Sequence, residues 1–282
     1  MNEIADLRPS PLAGTWYSSN PATLQTEVDE YITQAKLPEM KGEVVGVIAP
    51  HAGYRYSGST AGYAFKAVMG LQPDLVAVIS PLHAYHPEPF LTTTHAGYKT
   101  PLGPVWVDQG AVQSLDDYLE DNLGIGFTYL ERDSEHSLEI ELPFLQEALS
   151  TEFKLLPVMV RTQSPEAGRI LGTGLAEVLK SRQALLVAST DLSHFYPEQV
   201  AGQLDETMLA RIEDFDPEGM FKIQDAGKGF ACGLGAVATV LWAARDLGAD
   251  AVQILHHSTS GDSTGDHQSV VGYGAAVILK TG

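Results

Sequence analysis

The 282-residue chain carries 36 acidic against 17 basic side chains, a formal net charge of −19, which repels phosphate backbones and anionic lipid surfaces at long range and argues against a nucleic-acid partner. Its 44% hydrophobic content is ordinary for a soluble globular protein, and no apolar run approaches the ~18 or more residues that a membrane span needs. The single cysteine, Cys232, excludes an intrachain disulfide and Cys-pair zinc motifs, so it acts alone or with histidines.

The opening MNEIADLRPSPLAG has neither the basic leader nor the apolar core of a secretory signal, so a cytoplasmic location is expected. No linker is visible, and residues 1–282 read as a single domain. Ala13, Gly14, Thr15, Trp16 and Tyr17 follow a Pro-rich stretch and read as a loop pinned by its aromatic pair. Asn20 as a cap and Pro21 at the first helical position predict a helix to Ala35, with Leu24, Val28, Tyr31 and Ile32 at helical spacing.

Val44 to Ala49 is an apolar, β-branched run stopped by Pro50, the pattern of a buried parallel strand. It delivers His51 onto a Gly- and Tyr-rich loop, after which Ser59 to Met69 can form a helix stopped by Gly70. Leu75 to Ser80 repeats the device and ends on Pro81, Leu82 and His83. Ligands in open α/β sheets sit outside the carboxyl ends of the strands. His51 and His83, on strands expected to be neighbours, should therefore emerge on one edge of the sheet.

Phe90 to Gly97 and Val105 to Asp108 look extended, with a turn over Tyr98 to Gly103 between them. Ala111 to Leu123 predicts a helix stopped by Gly124. His136, in Ser134-Glu135-His136-Ser137, suits either a partner behind a metal ligand or a helix start. Leu138 to Gln146 reads as helical with Pro143 early in it. Leu155 to Val160 is a strand, and Ser164 and Pro165 open a helix to Lys180.

Ala184 to Ser189 is another buried strand with polar residues at its end. There Asp191 and His194 suit an orienting carboxylate and an acid/base, or an Asx-type turn before a cap. Asp216 and Pro217 open a further helix. Cys232 lies at the start of a small-residue helix ending near Gly248, where a helix N-terminus lowers a thiol pKa toward the thiolate that metals bind. The alternative is a small buried hydrophobe.

Val252 to His257 and Val270 to Lys280 supply the last strands, with Ser258 to Gly265 as the loop between. Gly261, Ser263 and Gly265 fit the G-x-S-x-G hydrolase pattern, but an extended run follows at Val270 where that motif requires a helix. Strands alternating with helices in units too long for hairpins predict an α/β fold, a three-layer αβα sandwich with a central mostly parallel sheet.

Five ordered blocks together carry a resemblance. They are Ala13 to Tyr17; Pro50, His51 and Tyr54 with Tyr56 to Gly58; Glu135, His136 and Glu139; Ser189, Asp191 and His194; and Ser260 to Asp266 leading into Val270 to Tyr273. The chain resembles the Memo family, called AmmeMemoRadiSam system protein B in prokaryotes. That family is in turn similar to the class III (LigB-like) extradiol dioxygenases, whose αβα core holds a non-haem iron. The resemblance places His51 and His83 at the two metal-histidine positions, Cys232 at the third-ligand position and His194 at the acid/base position. Leu12 stands where relatives often carry histidine, and Ala84 follows His83 where some relatives have adjacent histidines.

The function expected is a cytoplasmic non-haem metal protein, a metal-dependent oxidoreductase of dioxygenase type acting on a small molecule or peptide. Two histidines and a thiolate suit Fe(II) first, with Cu, as Cu(I), or Zn as alternatives. Cysteine in a carboxylate's place argues against ordinary catechol cleavage. The competing expectation is a binding or regulatory module whose cleft, with Tyr54, Tyr56 and Tyr85, holds a peptide or small anionic ligand without turnover.

Overall fold

The apolar runs form the middle of one large sheet. The computed structural model describes residues 6–162 and 164–282, so the reading of a missing leader falls partly on residues 1–5, outside the described residues. The first half of the chain forms β1 (Leu7–Arg8), α1 (Pro21–Gln34), β2 (Glu43–Ala49), α2 (Tyr54–Ala67), β3 (Leu75–Pro81), β4 (Phe90–Thr93), β5 (Gly97–Thr100), β6 (Gly103–Trp106), α3 (Gln109–Leu123) and β7 (Thr128–Leu130). A 3-10 turn over Glu139–Glu141 leads into α4 (Leu142–Ala148), then β8 (Lys154–Val160), α5 (Pro165–Leu179) and β9 (Ala184–Ser189). The remainder is β10 (His194–Tyr196), α6 (Glu198–Glu213), α7 (Pro217–Asp225), α8 (Leu234–Asp246), β11 (Ala251–Thr259), α9 (Gly261–Thr264) and β12 (Val270–Lys280).

Strand order in the main sheet is β10-β12-β2-β9-β3-β8-β4-β7, with β11 on β12. Its centre, β2-β9-β3-β8, is parallel, while β12 joins β2 antiparallel and β4 joins β8 antiparallel. The strands of His51 and His83 are therefore not neighbours. β9 runs between β2 and β3, because the chain returns from β8 to fill the place left between them, and it brings Ser189 and Asp191 to the gap between the two histidines.

Every residue of β3 is buried, as befits a strand covered on both faces. The crossovers β2-α2-β3 and β8-α5-β9 run in opposite directions across the sheet, so right-handed connections place α2 and α5 on opposite faces. α1 and α4 pack with α2, and α3 and α8 pack with α5, which completes an αβα arrangement.

Several boundaries differ from the sequence reading. α2 begins at Tyr54, five residues before Ser59, because Gly53 ends the His51 loop as its N-cap. Gly97–Thr100, which includes part of the expected turn, pairs with β6 and, through Gly97 and Tyr98, with β1. α6 was not foreseen: its inner face includes Asp205, which is fully buried and breaks the apolar stripe. Gly261–Thr264 is a single short helical turn, and Ser263 there is exposed with its hydroxyl donating to Ser260 O, so the hydrolase motif has no elbow.

Candidate metal centre

The centre lies where β2, β9 and β3 end. His51, two residues past β2, is buried, and its backbone N–H donates to Asp191 Oδ1 at 2.8 Å. Its Nδ1 lies 2.8 Å from Ser189 Oγ. His83, two residues past β3, is held through Glu135, whose carboxylate accepts from His83 N at 2.6 Å and from Nδ1 at 2.9 Å. Glu135 also accepts from the backbone N–H of His136 and Ser137. Burial alone would raise the pKa of Glu135, but hydrogen bonds and charge from His83 hold it well below the usual carboxylate range.

His136 completes the group. One nitrogen from each of His51, His83 and His136 falls within a set spanning no more than 4.8 Å. The rings of His83 and His136 stack at 4.5 Å, and His51 stands edge-on to both. Trp16 closes the outer side at 4.5 Å from His136. Burial lowers His136 to about 4 and lowers His51 well below its ordinary value, so both are neutral at pH 7 with lone pairs to offer.

The three side chains form a group that could hold a metal ion. His51 Nδ1 faces a hydroxyl, while His83 and His136 turn Nδ1 toward Glu135, the latter at 3.3 Å. Each ring thus keeps Nε2 for the interior of the group, the arrangement by which outer hydrogen bonds orient metal-binding imidazoles. His136 ranks as a donor here, a role its place before a helix, not after a strand, did not reveal.

Cys232 stands outside the 4.8 Å group and beside it, with Sγ 3.2 Å from His51 Nε2. Gly233 allows this approach, since a Cβ there would collide with Ser189 O. The expected lowering of the thiol pKa is absent: α8 begins at Leu234, and burial followed by the nearby Asp191 charge pushes the thiol up.

Asp191 is pushed up to about 7 by burial against the hydrogen bond from His51 N. It orders the His51 loop and does not orient His194, whose Nδ1–H donates to Leu192 O at 2.7 Å. That bond leaves His194 Nε2 as an acceptor, and burial lowers the ring's pKa. The next residue, Phe195, has φ 64° and is 74% exposed, a left-handed conformation costly for an aromatic residue and characteristic of functional sites.

Beside the centre, a cleft of about 570 Å³ is lined by Trp16, Arg55, Tyr56, Phe195, Asp266 and Tyr273, among others. Of the tyrosines expected there, Tyr56 lines it, Tyr54 is buried with its hydroxyl on Ile140 O, and Tyr85 lines a separate pocket with His83.

A buried bracket supports the centre from behind. The guanidinium of Arg8 pairs with Asp133 and Glu139, each at 2.6 Å, and donates to Glu135 O. Glu139 Oε1 also accepts from Ser10 and Tyr17.

Known proteins resemble this chain in sequence and in fold. The model of the Memo family, described as Memo-like protein, matches residues 8–277. A MEMO1 family protein of Nitrosopumilus maritimus is 35% identical over 277 residues, covering 97% of this chain and 100% of the relative. Another from Methanopyrus kandleri is 30% identical, covering 98% and 99%. In structure, an uncharacterized protein of Escherichia coli K12 superposes with a TM-score of 0.52 at 13% identity, over 82% of this chain and 99% of that one, a likeness of fold. By the match of the family model across nearly its whole length, the chain belongs to the Memo family.

Proposed function

We propose that this protein is a cytoplasmic non-haem metal protein in which His51, His83 and His136 hold one ion and Cys232 joins them as a fourth donor on losing its proton. The carrying observation is the convergence of three imidazoles whose Nδ1 atoms are all turned to oxygen partners. A nitrogen set with one thiolate suits Fe(II), and also Cu or Zn. Bound there, Fe(II) would supply Lewis-acid and O2 chemistry to a substrate in an oxidoreductase reaction.

The protein's own groups fit such a role. His194 offers Nε2 as a base, with its tautomer fixed by Leu192 O. Imidazole needs little tuning for proton transfer near neutral pH. Asp191 holds the backbone of the His51 loop. Trp16, Tyr56, Phe195 and Tyr273 supply apolar walls, Arg55 a cation for an anionic group and Asp266 an acceptor, which suits a small molecule or peptide carrying both an anionic group and a donor.

Arg55 in that cleft also favours a second reading, a binding or regulatory module that holds such a ligand without turnover. Metal content separates the two. Protein purified anaerobically and reconstituted with Fe(II), Cu(I) or Zn(II) should hold about one equivalent, and His51→Ala should lose it. Equal metal in wild type and His51→Ala would leave only the binding module.

A further inference from the structure

Glu141 is 1% exposed, sits behind the centre and touches neither the cleft nor the three imidazoles through any hydrogen bond. Its Oε1 lies 2.6 Å from Ser189 Oγ, and its Oε2 has no partner. Ser189 Oγ is crowded: Ser137 O stands at 2.7 Å and His51 Nδ1 at 2.8 Å as well. Three short contacts converge on one hydroxyl that owns one hydrogen.

Only one assignment gives each contact a hydrogen. Ser137 O, a carbonyl, must accept, so the Ser189 hydroxyl donates to it. Ser189 Oγ must then accept from both other neighbours, which requires hydrogen on Glu141 Oε1 and on His51 Nδ1. An ionised Glu141 would leave either the Ser137 or the Glu141 contact as two oxygens with no hydrogen between them. It would also bury a bare carboxylate oxygen, a costly state without a partner. Burial, followed by the Asp191 charge, raises its pKa well above the carboxylate range, against the lowering effect of the Ser189 contact.

We infer that Glu141 is a neutral carboxylic acid which, by donating to Ser189, fixes His51 as the Nδ1–H tautomer with Nε2 unprotonated: a positioning residue acting through Ser189. The link is Glu141 Oε1–H to Ser189 Oγ, Ser189 Oγ–H to Ser137 O, and His51 Nδ1–H to Ser189 Oγ. Its consequence for metal affinity rests on His51 being a ligand, whereas the protonated acid and the tautomer do not.

The test uses metal-free full-length protein at pH 7.5. Infrared difference spectra between wild type and Glu141→Gln should show one protonated carboxylic acid lost in the variant, and 15N spectra of the His51 ring should show the Nδ1–H form in both. Glutamine keeps a donor for Ser189, so it should rescue what Glu141→Leu loses: the leucine variant should show mixed His51 tautomers and ~10- to 100-fold weaker Zn(II) binding, the usual cost of removing an outer hydrogen bond from a metal histidine. An absent acid band in wild type overturns the inference, as does an unmixed Nδ1–H ring in Glu141→Leu. Should the leucine variant fail to fold, the wild-type and glutamine spectra decide alone. An acid band and Nδ1–H tautomer in a protein that binds no metal would sink the metal reading and leave this inference standing.

Discussion

Glu135 grips His83 twice, taking the backbone N–H on Oε2 and the ring Nδ1–H on Oε1, at 2.6 and 2.9 Å. The two bonds fix both the loop and the ring, so the aim of His83 depends on one carboxylate. Glu135→Gln replaces one acceptor oxygen by a donor and should weaken metal binding ~10- to 100-fold with the fold retained. Competition with a chromogenic chelator measures this, and unchanged affinity would show that His83 is aimed by something else.

Metal uptake should release a proton from Cys232. Burial and Asp191 push its thiol up, so at pH 7 the thiol keeps its hydrogen, and a metal that takes the sulfur must displace it. Wild type should release one proton more per Zn(II) than Cys232→Ser in lightly buffered solution. Without metal the same thiol should alkylate slowly, the reverse of what a helix N-terminus would promote. Equal proton release in the two proteins would remove Cys232 from the donor set.

His194→Ala should leave fold and metal content unchanged and remove ~10²-fold or more of any turnover. Its Nδ1 is spent on Leu192 O, and it lies outside the group of three histidines. Loss of metal in this variant would mark it as a ligand.

His136 sets a pH dependence whose sign follows from its lowered pKa. The ordinary value is 6.5 and the folded value about 4, so between them the unfolded chain binds the extra proton. The stability contributed is full above pH 6.5 and is lost as pH falls through about 4, by up to about 3 kcal/mol. Asp191, raised from 3.8 to about 7, acts oppositely, stabilising at low pH and losing that contribution as pH rises through about 7. Both proteins in a comparison with His136→Asn carry Asp191, so the difference in their urea-unfolding free energies across this range isolates His136. A difference that stays flat from pH 7 to pH 4 refutes the assignment.

Arg8→Ala should destabilise by about 3 to 5 kcal/mol, because it strands Glu139 and Asp133 as buried charges without a cation. Denaturant unfolding measures it. A loss below about 1 kcal/mol, the worth of a surface pair, would contradict the burial.

His51 and His83 were legible because each follows an apolar strand with proline at its end, a local signal. His136 was not, since it comes from a loop ahead of the Glu139–Glu141 turn and meets the others through ring packing and Glu135, contacts that no local pattern records. The contact of Ser189 with His51 depends on β9 entering between β2 and β3, a long-range pairing that no local pattern records. Helix α6 was hidden for a physical reason: Asp205 faces inward, satisfied by Ser193 N and His257 Nε2, so a polar residue occupies a position where periodicity demands an apolar one.

The His51–Cys232 contact joins residues 181 apart, and this separation bears on how the protein is made. His51 leaves the ribosome early, yet the strand that separates it from His83 and the loop carrying Cys232 are translated long afterwards. Pairing over such distances closes late, so a nascent chain exposes its histidines before Cys232 exists. Ion delivery would then belong to the released, finished protein, and a chain arrested before residue 232 should hold metal more loosely than the full-length product.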